Sequence, residues 1–529
     1  MALGAHLGVA AAPTASPNRK DLAKALLEHG QARFATQGFQ RALAMTAGVD
    51  INGGPEATAA ETGRVATQAT GGATALARRQ GVANVLVNNP AEDRFQVDQT
   101  TQSETSLAVA GSNVAVGFND SQQALLALTD GLDLSGYAYS ADGGKKFTDG
   151  GTLPNPLNFV NLGDPWLTSD RAGRMYYATL TYGGNVGNLE VAASRSSDGG
   201  KTWTQPTLAS PNNDDIFYAG DKDAITAGRD PNLASRDNLY LAWDDVSAAQ
   251  SGTAFNGLPV ARSIDHGTTW SLHYAAKIVS DPNSCSFSQF IGAQPLVDPA
   301  TGALYIAAEK ITVTDPNCTG GGTQTLSQVI YKSTDGGITF GNAITVSTVA
   351  AATPTGALKL GPGQFMRTIE FPTLAMRGAR MWTAWNDGRS GHSHVLLASS
   401  TDHGATWSTH AITAGTGDEV QPALSVDAAG LHLAYYQRKA NNTLDTVLAD
   451  STDNGAHFTA TAITSQSFPG VHTVPQFDPQ LRFGYMGDYI TNVSAGGHQY
   501  VAWGDNRNRI TNFTHPHGRN DPDVYFARR

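Results

Sequence analysis

The sequence predicts an all-β protein assembled from repeated sheet units, and three observations support this fold class. A short pattern, Ser-x-Asp-x-Gly-x-Thr-aromatic, is written six times, twice without its Thr. Its copies recur at intervals of 51 to 70 residues, which is the regular self-similarity of a repeat architecture. The chain also contains 57 glycines in 529 residues, which suits many short strands joined by turns.

Each copy of the pattern has the residue types of a tight hairpin turn. Ser and Asp side chains accept hydrogen bonds from the N–H groups of the turn, and Gly adopts the positive φ that other residues resist. The aromatic residue begins the next strand and packs back over the turn. The aspartates of the pattern are therefore predicted to be structural: Asp142, Asp198, Asp265, Asp335, Asp402 and Asp453.

This pattern resembles the Asp box, or bacterial neuraminidase repeat, of sialidases and related secreted glycan-active β-propellers. The resemblance extends from about Val85 to the C-terminus. It implies a β-propeller, in which four-stranded sheets are arranged radially around an axis. It also implies an activity on carbohydrate, most directly that of a sialidase-like exo-glycoside hydrolase.

Two regions are predicted along the chain. Residues 1–82 form an N-terminal extension, with an apolar tail, a weakly helical segment over residues 21–45 and a linker rich in Ala, Thr and Gly. Residues 83–529 form the propeller. The tail lacks the basic flank of a signal peptide, so a disordered tail and a trimmed leader both remain open.

The number of blades follows from the strongly apolar second strand of each unit. Seven such strands are found, at residues 114–118, 175–178, 239–243, 304–307, 381–385, 431–435 and 500–503. The seventh unit stops where its Asp box should open, and a missing strand would leave a bare sheet edge. We expect residues 84–87 to supply that strand and close a seven-bladed ring of four-stranded blades; six blades is the alternative.

Composition excludes two classes of partner. The net charge is −11 and the chain has no basic run, so nucleic acid is not an expected partner. The sequence contains no apolar run long enough for a membrane span. Cys285 and Cys318 lie in one unit, and a disulfide between them suits a secreted or periplasmic protein, although two free thiols remain the alternative.

The functional face is predicted from the geometry of a blade. Because the four strands run outward in order, the Asp boxes lie on one face, and the starts of first strands and the loops after second strands lie on the other. Carboxylates, arginines and tyrosines gather at the latter positions, a mixture that suits a polar saccharide pocket. The predicted substrate-binding residues are Arg367, Arg438, Arg482, Tyr485, Asp488, Asp387, Arg389, Asp505 and Arg507.

Four of these residues belong to a pattern, Trp-x-Asp-x-Arg, that occurs at residues 385–389 and 503–507. Two interpretations of it are open. The Asp and Arg can contact a ligand, or the Asp can cap the loop and pair with the Arg as a structural clip.

The resemblance to sialidases implies specific roles. Arg367, Arg438 and Arg482 would hold a substrate carboxylate, since a guanidinium group binds a carboxylate through two hydrogen bonds. Tyr489, activated by Glu370, would be the nucleophile. The acid/base residue would be one of two aspartates, Asp164 or Asp120.

The sequence departs from the sialidase pattern, because no Arg lies in the first unit between residues 102 and 142. A hydrolase or lyase with a different glycan pocket, and a non-catalytic propeller that binds carbohydrate or protein, therefore remain alternatives. No cofactor is predicted. Zinc at His392–His394 or His515–His517 has weak support, and structural calcium in Asp-rich loops stays open.

Overall fold

A computed structural model describes the chain from its first helix to the C-terminus, with gaps. The described residues are 19–29, 31, 43, 46–48, 84–92, 102–120, 133–156, 158–183, 188–210, 215–249, 254–320, 322–353, 357–361, 364–412, 417–470, 486–511 and 518–529. The architecture is all-β with one short helix, α1 (Arg19–Glu28), and a 3-10 turn at Pro90–Glu92. Within the described ranges no helix has the length and apolarity needed to cross a membrane.

Helix α1 overlaps the segment predicted to be helical over residues 21–45 and begins two residues before it. Leu22 and Leu26 are spaced by four residues and therefore lie on one face. Both are buried in the same apolar cluster as Leu189 and Val191 of the sheets. The N-terminal extension is thus packed against the β-structure through this face.

The strands that follow pair into antiparallel groups of four. A two-residue strand, β1 (Val85–Leu86), precedes them. The first group is β2 (Gln102–Ala110), β3 (Asn113–Asp120), β4 (Ser135–Ser140) and β5 (Thr148–Thr152). The second is β6 (Phe159–Ser169), β7 (Met175–Gly183), β8 (Asn188–Ser196) and β9 (Thr207–Leu208). The third is β10 (Asp215–Arg229), β11 (Asp237–Ala249), β12 (Ala254–Ser263) and β13 (Ser271–Ser280), and a parallel contact of β10 with β8 joins it to the second.

Three further groups follow the same order. The fourth is β14 (Phe287–Val297), β15 (Leu304–Thr314), β16 (Thr323–Ser333) and β17 (Ile344–Val349). A hairpin, β18 (Ala357–Gly361) and β19 (Gln364–Arg367), separates it from the fifth, β20 (Thr373–Arg377), β21 (Arg380–Asp387), β22 (His394–Ser400) and β23 (Ser408–Ala411). The sixth is β24 (Glu419–Val426), β25 (Leu431–Arg438), β26 (Thr443–Ser451) and β27 (Thr459–Ala462), with β28 (Phe468–Pro469) also on β26.

The last sheet combines both ends of the β-region. Strands β29 (Thr491–Ala495), β30 (His498–Ile510) and β31 (Arg519–Arg528) come from the C-terminus, and β1 pairs with β31 as the fourth strand. This last sheet also contacts the first group, because the Thr105 hydroxyl donates a hydrogen bond to the Ala502 carbonyl at 2.7 Å. The Phe147 and Phe526 rings lie edge to face at 5.0 Å.

The core lies between neighbouring sheets and is built largely from the second strand of each group. These strands read as apolar runs because both of their faces are covered. Trp243 of β11, Trp385 of β21 and Trp503 of β30 are completely buried there. The indole N–H of Trp243 donates to the Tyr218 hydroxyl at 2.6 Å, so its polar atom is satisfied as well.

The repeated turns have the geometry predicted from their residue types. In the turn at residues 333–340 the Ser333 hydroxyl donates to Asp335 and accepts from the Gly337 N–H at 2.8 Å. The Asp335 carboxylate also accepts from the Thr339 N–H and hydroxyl. Partial burial opposes its ionisation, but these hydrogen bonds outweigh that effect and lower the pKa of Asp335 to about 2.

Asp335→Ala is expected to lower the free energy of unfolding by about 0.5–2 kcal/mol, the range for replacing a capping side chain by alanine. The contribution of the carboxylate is present above the unfolded pKa near 3.9 and is lost as the pH falls toward 2. Denaturant unfolding at pH 7 and pH 3 measures both effects. Ile338→Thr is the control, because Ile338 is exposed in the same turn. An equal loss for the two variants would contradict the role of the carboxylate.

Cys285 and Cys318 form a disulfide with a Cα–Cα distance of 5.3 Å. It joins the loop before β14 to the loop after β15, and the two cysteines are 33 residues apart. In the chain-entropy model, closing a segment of this length stabilises the folded state by about 3–4 kcal/mol. The N-terminal extension packs beside it, since the Gln31 side chain donates to the carbonyls of Asp281 and Ser284, both at 2.9 Å.

Candidate functional site

The first strands of five groups share a β-bulge, and four to six residues of the strand follow it in each case. The pairing with the second strand shifts between Ser103 and Ser106, Gly163 and Trp166, Asp221 and Ala224, Ile291 and Gln294, and Val420 and Ala423. A bulge bends the strand and redirects the side chains at that point. The shared position of these irregularities therefore defines one end of the first strands, which we call the bulge end.

Three bulges place a residue with a side chain in a left-handed conformation. The φ angles are 52° for Glu104, 56° for Asp164 and 54° for Gln421, whereas Gly292 occupies the same point of β14 with φ 70°. Non-glycine residues rarely adopt this conformation, and such strain concentrates at functional sites. The strain therefore singles out the bulge end as the part of the fold to examine for chemistry.

A cavity of about 190 Å³ runs between the first strands of the sheets. Apolar and small residues line most of it. The polar and aromatic groups that line it include the following bulge-end residues: Trp166, Lys222, Asn386, Gln421, Asp488 and Tyr489.

The residues Glu104 and Asp164, both buried at the bulge end, are bridged by one side-chain amide. Asn119 donates from Nδ2 to the Glu104 carboxylate at 2.7 Å, and its Oδ1 accepts from the backbone N–H of Asp164 at 2.7 Å. Glu104 also accepts from the Asp488 N–H at 3.1 Å. The Glu104 carboxylate thus accepts one of these hydrogen bonds at each of its oxygens.

Asp164 has the opposite surroundings. Its side chain is buried, and its Oδ2 has no hydrogen-bond partner. Burial first, and then the negative charge of Glu104, raise the pKa of Asp164 well above its usual range. A buried carboxyl group with a raised pKa suits general acid chemistry. Asp164 is therefore the candidate acid, and Glu104 is the carboxylate joined to the backbone of Asp164 through the Asn119 side chain.

Asp223 is a further buried acid in this cluster. Neither of its carboxylate oxygens has a partner outside its own residue, and burial raises its pKa to about 8. Folded protein therefore keeps a proton that the unfolded chain, with a pKa near 3.9, releases. The stabilisation of the folded state by this proton is complete below about pH 4 and is lost as the pH rises to about 8. The free energy of unfolding falls by about 1.4 kcal/mol per pH unit between these values.

Asp223→Asn is accordingly expected to raise the unfolding midpoint above that of the parent at pH 8 to 9, because an amide cannot ionise. The gain should shrink toward pH 4 to 5. Thermal unfolding across this pH range measures the difference. A difference that does not vary with pH would contradict the buried, protonated state of Asp223.

Tyr489 and Glu370, the predicted nucleophile pair, have separate partners. The Tyr489 hydroxyl donates to the Pro165 carbonyl at 2.9 Å, and Glu370 accepts from the Ala352 N–H at 2.6 Å. Burial, followed by the charges of Glu104 and Asp164, raises the pKa of Tyr489 well above its usual range. No hydrogen bond joins the two side chains in this structure, and the tyrosine is held in its neutral form.

The predicted arginines that the structure describes are occupied by carboxylates. Arg367 Nη1 lies 3.2 Å from Asp488, and Arg438 Nη2 lies 2.6 Å from Asp418. Arg482 and Tyr485 lie outside the described residues. The structure therefore gives Arg367 and Arg438 different partners rather than a common open site.

Both copies of the Trp-x-Asp-x-Arg pattern form a clip of the same geometry. The Asp387 carboxylate accepts from the Trp385 indole at 3.2 Å and from Arg389 Nε at 2.7 Å. Asp505 repeats this with Trp503 at 2.9 Å and Arg507 at 2.9 Å. In both copies the aspartate carboxylate accepts these hydrogen bonds from the Trp and the Arg of its own loop. This is the geometry expected if the pattern is a structural clip.

The remaining predictions concern Asp120 and metals. Asp120 is buried and accepts from Gln102 Nε2 at 3.3 Å. His392 and His394 have ring centroids 4.1 Å apart, and His394 Nδ1 lies 3.4 Å from Glu419. The metal-ligand cluster found among the described residues contains His29 and the two cysteines, whose sulfurs are already bonded to each other. Calcium in the loops stays a prediction.

Two residues of the bulge end were missed by sequence reasoning. Lys222 and Trp166 lie against Tyr489, with the Lys222 Nζ 4.0 Å from the tyrosine ring centroid. The available signal was the Asp221-Lys222-Asp223 run, which lies in the middle of β10. A Lys between two acids is an unusual composition for a buried position.

Comparison with known proteins agrees with the repeats. Residues 313–478 match the BNR repeat-like domain. A xyloglucanase of Hypocrea jecorina (strain QM6a) is 28% identical over 325 residues, which are 60% of this chain and 35% of that protein. A xyloglucanase of a Paenibacillus species is 31% identical over 199 residues, 35% of this chain and 16% of that protein. The chain thus spans about a third or less of these relatives.

A Hadza microbial sialidase is among the solved structures to which this chain is similar. It is 16% identical to this chain, with a TM-score of 0.40 over 68% of this chain and 65% of that one. Residues 313–478, which include three of the repeated turns, are thus the part of the chain that is similar to the BNR repeat-like domain.

Proposed function

We propose that this chain is a glycoside hydrolase whose reaction takes place at the bulge end. The observation that carries the proposal is the Glu104–Asn119–Asp164 network, which joins a buried acid of raised pKa, Asp164, to a second buried carboxyl group, Glu104. Most glycoside hydrolases use a pair of carboxyl groups, one of them a general acid of raised pKa. The two xyloglucanase relatives support an activity on glycans.

In the proposed reaction Asp164 is the general acid and Glu104 the general base. Asp164 gives its proton to the glycosidic oxygen as the bond from that oxygen to the anomeric carbon breaks. Glu104 accepts a proton from water while the water oxygen bonds to the anomeric carbon. Each positioned acid–base group contributes about 10²–10⁴-fold in rate. Tyr489, which is neutral and hydrogen-bonded to a carbonyl, supports the wall of the site rather than acting as the nucleophile.

The electrostatics favour a neutral glycan. Arg367 and Arg438 are neutralised by aspartates, and several buried carboxyl groups surround a single lysine at the bulge end. A substrate carboxylate would meet these acids without a free guanidinium group from either arginine. The relatives that carry the name xyloglucanase are consistent with this choice, and a sialoside is the alternative substrate.

We further propose that the groups of strands are the blades of one closed seven-bladed propeller. The pairing of β1 with β31 supports closure by residues 84–87, and the contact between Thr105 and Ala502 supports adjacency of the first and last blades. The Cys285–Cys318 disulfide supports an exported protein, because disulfides persist in oxidising compartments.

The test is a screen of the purified chain against xyloglucan, arabinan, chromogenic neutral glycosides and sialosides. Turnover of a neutral glycan that disappears in Asp164→Asn supports the proposal. Turnover of sialosides alone would indicate a sialidase. It would also support the predicted role of the arginines in binding a substrate carboxylate. Unsaturated products would indicate a lyase, and binding without turnover of any substrate would indicate a carbohydrate-binding propeller.

A further inference from the structure

The side chain of Lys222 is buried in the middle of the bulge end. Its ammonium group lies over two rings, 4.3 Å from the Trp166 centroid and 4.0 Å from the Tyr489 centroid. It donates one hydrogen bond, to the Asp223 carbonyl at 2.8 Å. A lysine is rarely buried to this degree, since its charge must be compensated where water is excluded.

Compensation comes from acids on every element packed around the ammonium group. The acids that act on it are Asp223 of β10, Asp164 of β6, Glu104 of β2 and Asp244 of β11, and the Tyr489 ring lies against it. Asp221 of β10 acts on Asp164 and Asp244, and Asp488 before β29 lines the same cavity as Lys222. No hydrogen bond joins the ammonium group to any of these carboxylates. Lys222 therefore acts on the cluster as one shared charge rather than as the partner of a single acid.

We infer that Lys222 is a positioning residue, whose ammonium group, held on Trp166 and Tyr489, limits how many of the surrounding carboxyl groups stay protonated. This inference rests on the proposed function for its kinetic consequence, but its effect on the acids is independent of any substrate. The aromatic faces hold the cation without satisfying it, because a ring attracts a cation but accepts no salt bridge. The charge consequently remains available to every acid around it.

The chemical consequence follows from the distribution of protons. With Lys222 present, one acid can ionise at neutral pH while Asp164 keeps its proton. Without the positive charge, the ionised form of each carboxyl group is less favourable, so the base as well as the acid should titrate at higher pH. A purely structural lysine would change stability without moving these titrations.

Two charge-removing variants test the inference. Lys222→Met keeps the length of the side chain over the rings, and Lys222→Gln keeps a donor for the Asp223 carbonyl. Lys222→Arg keeps the charge. Lys277→Met is the matched control, because Lys277 also lies over two rings, Tyr274 at 4.0 Å and Phe255 at 5.1 Å, on the outer strand β13.

The first readout needs no substrate and uses ¹³C-carboxyl NMR titration of the full chain. In Lys222→Met and Lys222→Gln the carboxyl titrations of the cluster should move up by about one pH unit or more. Lys222→Arg and Lys277→Met should match the parent within about half a unit. Unchanged titrations in both charge-removing variants overturn the inference, whatever the activity of the protein.

The second readout uses any glycan that the parent turns over. Both limbs of the pH–rate profile should move to higher pH in Lys222→Gln, with kcat at pH 7 reduced about tenfold or more and KM changed less than threefold. Lys222→Arg should restore the parent profile. A lower kcat with an unmoved profile overturns the inference. A parent that turns over no glycan fails the proposed function alone, because the titrations still decide the role of Lys222.

Discussion

Asp164→Asn is expected to reduce turnover of the glycan substrate by about 10²–10⁴-fold, the range for loss of a positioned general acid. Asparagine has nearly the same shape but cannot donate a proton to the glycosidic oxygen. Because burial raises the pKa of Asp164, the neutral amide resembles the protonated side chain, and the variant should fold as stably as the parent or more so. Steady-state kinetics and thermal unfolding on the same preparations measure both effects.

Asp120→Asn is the matched control for this experiment. Asp120 is a buried carboxyl group on the same face and was the other acid that the sequence predicted, and it accepts a hydrogen bond from Gln102. We expect Asp120→Asn to retain turnover within about tenfold. Loss of turnover in Asp120→Asn with retention in Asp164→Asn would move the acid to Asp120 and refute the assignment made above.

Asp505→Ala is expected to cost about 3–5 kcal/mol of unfolding free energy, because it leaves a buried guanidinium group without its partner. The Arg507 side chain is 6% exposed, and Asp505 is completely buried beside it. Asp387→Ala breaks the same clip at Arg389, whose side chain is 43% exposed and can be solvated. We expect about half the loss or less for Asp387→Ala.

Denaturant unfolding of the two variants gives this comparison directly. The ordering also separates the two interpretations of the Trp-x-Asp-x-Arg pattern. A structural clip predicts a large loss of stability at Asp505 and normal KM in the Asp387 variant. A stable Asp505→Ala protein with a strongly raised KM would instead indicate that the pattern binds the substrate.

Most of the architecture was accessible from the sequence because it is written in local patterns. The Ser-x-Asp-x-Gly turns hydrogen-bond within a few residues, so their residue types alone predict their geometry, as at Ser333 and Asp335. The second strands are likewise apolar along their length, which indicates that both of their faces are buried. Pairing of residues 84–87 with the last sheet was predicted because the seventh unit lacks a fourth strand, which would leave a bare sheet edge. The structure pairs Val85 with Phe526.

The chemistry of the bulge end depends on contacts between distant parts of the chain. Sequence reasoning brought Asp164 and Tyr489 to one face, but it joined the tyrosine to Glu370. A side chain can be assigned to a face from strand order alone, whereas its hydrogen-bond partner depends on the bulge that turns it. The bulges, in turn, leave no signal that is recognisable without the pairing of strands.

The amino-acid sequence by itself determined the repeated turns, the grouping of strands and the face on which polar side chains gather, because each depends on interactions within a turn or on alternation along a strand. Only the tertiary structure decided which carboxyl group keeps a proton and which arginine is already paired. Those properties depend on burial and on charges contributed by different sheets. Glu104 and Asp164 lie 60 residues apart, yet one asparagine side chain joins them.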